Sequence, residues 1–70
     1  MVTINFEMSD RFTRVRDSFV VQDWEENHTV LELEKGLEDS GFKKSHEKDD
    51  GWTTVWKRGG TIAEIGVIWT

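Results

Sequence analysis

The stretch WTTVWKRGGTIAEIGVIW, residues 52–69, decides the fold because it contains two strand-like runs around a tight turn. Both runs are rich in β-branched and aromatic residues, and Gly59-Gly60 between them is typical of a two-residue hairpin turn. Such a turn sets the register of the two strands. The pairs predicted by this register are Trp56–Ala63, Thr54–Ile65 and Trp52–Val67.

This register sorts the side chains of the hairpin into two faces. The first, the Trp face, collects Trp52, Thr54, Trp56, Ala63, Ile65, Val67 and Trp69. The second face collects Thr53, Val55, Lys57, Ile62, Glu64, Gly66 and Ile68. We expect the Trp face to be the core, because large aromatic side chains bury the most apolar area. Gly66 inside a strand indicates a bulge or a close approach of the backbone.

A helix is predicted upstream of this hairpin. Thr29 and Glu32 have the spacing of a capping box, which would begin the helix at Thr29. Val30, Leu33 and Leu37 then share one helical face, against which the Trp face can pack. Ser40-Gly41-Phe42 is typical of a Schellman ending, in which Phe42 contacts Leu37.

The remaining segments predict three more strands. Alternation of apolar and polar residues over 2–8 indicates a half-buried strand, which the turn signal Ser9-Asp10 ends. Residues 12–22 fit either a strand or a helix; their β-branched residues favour a strand, with a bulge or turn at 16–18. Residues 42–48 are polar, as an edge strand would be, and the loop at 49–51 joins them to the hairpin.

The predicted fold is therefore α+β: an antiparallel sheet of about five strands in the order β-β-α-β-β-β, with one helix packed on one face. The 70 residues predict a single small domain, residues 1–70. About a quarter of them are Leu, Ile, Val or Phe, above the roughly 20% typical of disordered chains. The sequence contains no Cys, no secretory signal and no long apolar run, so we expect a cytoplasmic protein.

Catalytic and metal chemistry have weak support in the sequence. His46, Glu47, Asp49 and Asp50 cluster, but without the ligand spacing of a calcium loop, so we expect a charged hairpin tip rather than a metal site. No nucleophile is accompanied by a base in a recognisable pattern, and 70 residues can scarcely enclose a substrate cleft. We expect neither an enzyme nor a cofactor.

Charge is the most informative functional feature. The net charge is −5, and one segment, residues 23–40, accounts for all of it. This acidic segment holds one cation, Lys35, and seven carboxylates: Asp23, Glu25, Glu26, Glu32, Glu34, Glu38 and Asp39. Such a field repels nucleic-acid phosphates and attracts basic surfaces. It can also be simply a solvated helix face that keeps a small protein soluble.

The leading hypothesis is a small acidic interaction module whose seven carboxylates engage the basic surface of a nucleic-acid-binding protein. Its size, acidity and lack of catalytic motifs are typical of accessory proteins, including those by which phages inhibit host nucleases or polymerases.

Two alternatives remain open at this point. A nucleic-acid-binding sheet would use Trp52 and Trp56 as stacking platforms together with basic side chains. These are Arg14, Arg16, Lys43, Lys44, Lys48, Lys57 and Arg58. A structural subunit would instead form a homodimer through the second face. The last strand, 61–69, carries one charge and either lies inside the sheet or pairs with a second copy.

Overall fold

The computed structural model describes residues 1–69. The predicted succession of elements is confirmed, with a short 3-10 turn added before the helix. The elements are β1 (Val2–Ser9), β2 (Arg14–Val21), the 3-10 turn (Asp23–Glu25), α1 (Glu26–Asp39), β3 (Lys43–Glu47), β4 (Thr53–Arg58) and β5 (Thr61–Trp69). No helix within residues 1–69 has the length and apolar character needed to cross a bilayer.

The five strands form one antiparallel sheet in the spatial order β2-β1-β5-β4-β3. The edge position predicted for residues 42–48 is confirmed, since β3 pairs only with β4. The last strand is central, because β5 pairs with β1 on one side and β4 on the other. Strand-to-strand pairing of a second copy along β5 is therefore excluded.

The hairpin register is confirmed, since Trp56 lies opposite Ala63 and Thr54 opposite Ile65. The third pair continues it, with the Val67 amide donating to the Trp52 carbonyl at 3.1 Å. The bulge proposed at residues 16–18 is wrong, because β2 pairs with β1 without interruption. The irregularity lies instead in β3, between Lys44 and His46.

The predicted start of the helix is also wrong. Thr29 lies inside α1, which begins at Glu26 without a side-chain cap. The reason is the preceding 3-10 turn, in which the Glu25 amide donates to the Gln22 carbonyl at 2.9 Å. The chain is already helical before it reaches Thr29, so no capping box is needed there.

The predicted ending of the helix is confirmed. The Phe42 amide donates to the Leu37 carbonyl at 2.9 Å, and the Gly41 amide donates to the Glu38 carbonyl at 3.0 Å. These are the two hydrogen bonds of a Schellman motif. Gly41 has a φ of 92°, a left-handed conformation that glycine adopts without strain. Phe42 and Leu37 both enter the core.

The core lies between α1 and one face of the sheet, the helix face. Its buried residues are Val2, Ile4, Leu37, Phe42, Trp56, Ala63 and Ile65. The Trp56 indole N–H donates to the Thr54 hydroxyl at 3.1 Å, so this buried donor is satisfied. The opposite face, which carries no helix, is the open face; it displays Glu7, Glu64 and Ile68.

The expectation that the whole Trp face is buried is wrong at one end of this face, which carries Trp52 and Trp69. Trp56 is 3% exposed, but Trp52 is 59% and Trp69 is 53% exposed. Their positions in the register explain the difference: Trp56 lies among the packed rows, whereas Trp52 precedes β4 and Trp69 ends β5. Trp24, in the 3-10 turn, is 81% exposed. Three tryptophans are thus exposed at the end of the sheet where β1 begins.

Candidate interaction surfaces

The seven carboxylates of the acidic segment do not form a single stripe. Glu26 and Glu34 lie one helical turn on either side of Val30, which packs against the core, and both are half-buried. Glu38 and Asp39 are exposed at the end of α1. The remaining three carboxylates are Asp23 and Glu32, which are exposed, and Glu25, which is half-buried. The sequence-predicted set therefore spans several directions around one helix.

Few of these carboxylates are neutralised within the protein. Asp23 lies 2.9 Å from the amino group of Met1. Glu32 lies 3.2 Å from Nε2 of His28, which carries charge only when protonated. Within residues 1–69, no ion pair joins any of the seven to a Lys or Arg side chain.

Three of the four carboxylates on the strands, Glu7, Glu47 and Glu64, are paired with basic side chains, and Asp17 is the exception. On the open face, Arg14 and Arg16 of β2 bind opposite oxygens of Glu7, with Nε–O distances of 2.7 and 3.3 Å. In the same row of the sheet, Lys48 Nζ lies 2.6 Å from Glu64 Oε1. The contrast with α1 shows that the negative charge of the molecule is concentrated on the helix and largely compensated on the sheet.

A further ion pair lies on the helix-face side of β3. Lys44 Nζ is 2.9 Å from Glu47 Oε1. This hydrogen bond is the main cause of the raised pKa of Lys44 and the lowered pKa of Glu47. The nearby charge of Glu34 also helps to raise the pKa of Lys44. Glu34 is thus turned towards the sheet and is less available to a partner than Glu38.

Most of the basic side chains considered for nucleic-acid binding already form ion pairs or hydrogen bonds within the protein. Arg14, Arg16, Lys44 and Lys48 hold carboxylates, as described above. Arg58 donates to the Ser40 carbonyl at 2.7 Å and lies over the Phe42 ring at 4.5 Å from its centroid. Of the two proposed stacking platforms, Trp56 is buried and only Trp52 is exposed.

Two of the three exposed tryptophans, Trp52 and Trp69, border a groove that the sequence does not predict. This groove, the Trp52–Trp69 groove, has a volume of about 550 Å³. Most of its lining residues, among them Glu7, Thr53 and Glu64, lie on the open face, whereas Trp52 and Trp69 belong to the Trp face and border the groove at the end of the sheet. Its lining includes the apolar side chains of Trp52, Trp69 and Ile68 and the carboxylates of Asp50 and Glu64. The volume is within the roughly 300–1,000 Å³ of small-molecule sites. Alternation along the strands indicates which face a residue occupies, but gives no sign of exposure at the end of the sheet.

The glycine in β5 helps to shape the groove. Gly66 pairs with Asn5 on one side and Thr53 on the other without a break in register, so no bulge is present there. A Cβ at this position would lie 3.3 Å from the Thr53 hydroxyl oxygen. The close approach to Gly66 is therefore made by a side chain rather than by backbone. Because Gly66 has no Cβ, the groove is deeper at this position.

The charged residues at the hairpin tip make separate contacts. Asp50 uses its carboxylate to accept hydrogen bonds from the Trp52 and Thr53 amides, at 2.9 and 3.0 Å. His46 instead hydrogen-bonds the neighbouring Ser45 hydroxyl at 3.0 Å. No group of three or more potential metal ligands comes together anywhere in the described part of the chain, residues 1–69.

Comparison with known proteins gives no relative: no family model, no curated protein and no solved structure matches this chain. The functional argument therefore depends on the geometry and charge of the surfaces themselves.

Proposed function

We propose that the protein is a small, cytoplasmic, non-enzymatic interaction module that engages the basic surface of a nucleic-acid-binding protein. The contact is made by the acidic segment. The observation that carries the proposal is the uneven neutralisation of charge, since Glu7, Glu47 and Glu64 on the sheet are each held by Lys or Arg. The carboxylates of the segment have no Lys or Arg partner among residues 1–69, and Glu38 and Asp39 are the two that are both exposed and outside any ion pair of the described residues.

The exposed end of the helix is the centre of this surface. Glu38 and Asp39 are adjacent, exposed and accept no hydrogen bond from another side chain of the described residues. Glu32 adds a third exposed carboxylate on α1. Charges of one sign on a rigid element attract a basic partner over about 8–10 Å at physiological ionic strength and raise the rate of encounter.

The proposed consequence is competitive inhibition. A basic surface that binds nucleic acid is built to hold phosphates, and carboxylates spaced along a helix can occupy the same positions. An inhibitor of the type that phages direct against host nucleases or polymerases would act in this way. Occupied phosphate sites would exclude the nucleic acid without any chemical step.

The test uses charge reversals at the end of α1. Affinity capture from the source cytoplasm identifies partners, and titration then measures the affinity of a purified partner for the wild type and for Glu38→Lys/Asp39→Lys. This variant should weaken binding at least tenfold without unfolding, because cations near a helix C-terminus interact favourably with its dipole. Competition with a DNA or RNA ligand of the partner should show mutual exclusion.

The matched control is Asp17→Lys/Asp49→Lys, which changes net charge equally at two exposed positions outside the segment. It should retain most of the affinity. Binding that is insensitive to salt, or that both double variants weaken equally, would count against a localised acidic surface.

One observation supports nucleic-acid binding as a second candidate function. Lys43 and Lys57 face each other across β3 and β4, and neither lies in an ion pair within residues 1–69. They form a small basic patch at the end of the sheet that carries the Gly59-Gly60 turn, whereas the exposed Trp52 lies at the other end of β4. Saturable binding of a single-stranded oligonucleotide that is lost in Lys57→Ala would favour this candidate over the acidic module.

A further inference from the structure

The two edges of the sheet differ in how readily a further strand can pair with them. The edge strand β3 has five residues, contains Lys43 and Lys44, and is irregular between Lys44 and His46. Short length, lysines and irregularities all discourage edge-to-edge pairing. The other edge strand, β2, has eight residues, no proline and no glycine, and it pairs with β1 without interruption. β2 therefore presents a long and regular edge.

The backbone groups on the outer side of β2 follow from its pairing with β1. The Asp10 amide donates to the Thr13 carbonyl at 3.0 Å, and this pair continues the register of the two strands. Because hydrogen-bonded pairs alternate along antiparallel strands, every second residue of β2 turns its amide and carbonyl away from β1. The Ser18 amide agrees with this phase, since it donates to the Asp17 side chain at 2.9 Å. The outward-facing residues are Arg14, Arg16, Ser18 and Val20.

The charged side chains of β2 leave this edge accessible. Arg14 and Arg16 turn inward, towards β1, where both bind Glu7. Asp17 covers the outward amide of Ser18. These two cations and two carboxylates balance, so the edge carries no net charge although the whole molecule carries −5. A second copy of the chain can therefore approach β2 without local repulsion between like charges.

Apolar side chains along β2 are left uncovered by the rest of the molecule. Val15, on the helix face, is 62% exposed, and Val20, on the open face, is 58% exposed. Phe12, in the preceding loop, is 88% exposed. The chain exposes 4997 Å², about 10% more than the roughly 4,500 Å² typical of a monomer of its mass. The edge that is open to hydrogen bonding is thus also rich in exposed apolar area.

We propose that two copies of the chain pair antiparallel through β2, so that their sheets join into one continuous sheet. A two-fold axis places one residue of β2 opposite itself. Arg16 or Asp17 in this position would bring like charges together. Ser18 brings none together, and a centre nearer either end would pair fewer residues. The dimer is therefore centred on Ser18.

This register covers the exposed side chains and satisfies the outward backbone groups. Val15 lies opposite Val21 of the second copy, a residue that packs against the core of that copy. Arg16 and Val20 exchange amide and carbonyl hydrogen bonds across the axis, and the second copy's Ser18 carbonyl replaces Asp17 on the Ser18 amide. The interface does not involve the acidic segment, so the inference goes beyond the proposed function and can fail separately from it.

The first test measures the mass and the amide exchange of the full chain. Light scattering over a wide dilution range should show a dimer that dissociates on dilution. Hydrogen exchange followed by NMR should show that the amides of Arg16, Ser18 and Val20 become protected as the protein concentration rises. The amides of β3, the other edge, should exchange at the same rate at every concentration.

Substitutions at Val20 test the edge directly. Val20→Pro removes an outward donor without removing a bond to β1, a position where an edge strand tolerates proline. It should raise the dissociation constant of the dimer about tenfold or more, because each dimer loses the hydrogen bond in both copies. Val20→Thr, which keeps the amide, is the matched control and should dimerise almost as the wild type does. Val20→Lys is a second test that keeps the amide, and it should weaken the dimer by placing a cation opposite the second copy's Arg16.

Three results would overturn the proposal. One is a wild-type chain that remains a monomer at the concentrations used for NMR. Another is a dimer that Val20→Pro and Val20→Lys both leave intact while Ile68→Lys dissociates it, which would move the interface to the open face. The third is protection that rises with concentration in β3 instead of β2, which would place the contact at the other edge.

Discussion

Glu7 and Glu64 lie directly opposite each other on the two central strands, β1 and β5. Two like charges in this position destabilise a sheet. Each is accompanied by cations from the outer side: Arg14 and Arg16 for Glu7, and Lys48 for Glu64. The open face thus carries two adjacent carboxylates flanked by cations, and we expect these outer cations to offset the repulsion between the carboxylates.

Removal of one cation should expose the repulsion between the two carboxylates. Lys48→Met removes the cation that pairs with Glu64, so that Glu64 and Glu7 repel each other and the melting temperature should fall. The fall should be smaller at high salt, because salt screens this repulsion. The double variant Lys48→Met/Glu64→Gln should recover most of the loss. Thermal melts at low and high salt measure both effects. A Lys48→Met protein with the same salt response as the wild type would contradict this interpretation.

The four tryptophans should differ sharply in their contributions to stability. Trp56→Ala removes a buried ring and should cost about 3–5 kcal/mol of unfolding free energy, which would leave so small a domain largely unfolded. Trp52→Ala removes an exposed ring and should change stability little. Urea denaturation followed by circular dichroism compares the two. Equal losses would show that Trp52 is a core residue after all.

Local chemistry explains what could be predicted from the sequence. The pairing of Trp56 with Ala63 follows from a two-residue turn, and the contact of Phe42 with Leu37 follows from the glycine between them. Both features depend on a few neighbouring residues. A pattern over a few residues therefore predicts them without knowledge of the rest of the chain.

The errors concern properties that depend on distant parts of the molecule. Alternation places Trp52 on the correct face, but its burial depends on how far α1 extends across the sheet. The capping-box spacing predicts a start of α1 at Thr29, whereas a 3-10 turn begins the helical conformation earlier. The Trp52–Trp69 groove was missed for the same reason, since it requires knowledge of both exposure and strand order.

Replacement of Gly36 in α1 and of Gly41 after it by alanine should change the free energy of unfolding in opposite directions. Gly36 lies in the helix interior with open space around the position of a Cβ, so Gly36→Ala should stabilise by about 0.5–1 kcal/mol. Gly41 has a left-handed conformation, and Gly41→Ala should destabilise by about 1–2 kcal/mol. Denaturant midpoints of the two variants check the signs. Stabilisation in both would contradict the assigned Schellman ending.

A homodimer that uses residues of β5 should form through the open face, because β5 has no free edge. Ile68 is the most exposed isoleucine of that face, so Ile68→Lys should convert such a dimer to a monomer without loss of fold. Light scattering over a wide dilution range measures the mass. A dimer that persists in Ile68→Lys would place the interface elsewhere, for example along the edge strand β2.

Asp10 and Asp50 should make the protein less stable in acid. Asp10 accepts hydrogen bonds from the Phe12 and Thr13 amides, both at 2.8 Å, in the loop between β1 and β2. Asp50 does the same in the loop between β3 and β4. These bonds favour the ionised carboxylates and lower the pKa of both groups. In the unfolded chain the pKa of an aspartate is about 3.9.

The sign of the pH dependence follows from these lowered pKa values. The folded state binds fewer protons than the unfolded state, so the stabilisation is present above about pH 4 and is lost as the pH falls through the folded-state pKa values. Asp10→Asn/Asp50→Asn keeps an acceptor oxygen at each loop and should flatten this part of the stability profile. Asp49→Asn is the control, because Asp49 accepts no side-chain hydrogen bond within residues 1–69. Urea midpoints between pH 2 and pH 6 measure how stability depends on pH. If stability falls with pH as steeply in the double variant as in the wild type, other carboxylates, such as Glu47 beside Lys44, cause the acid sensitivity.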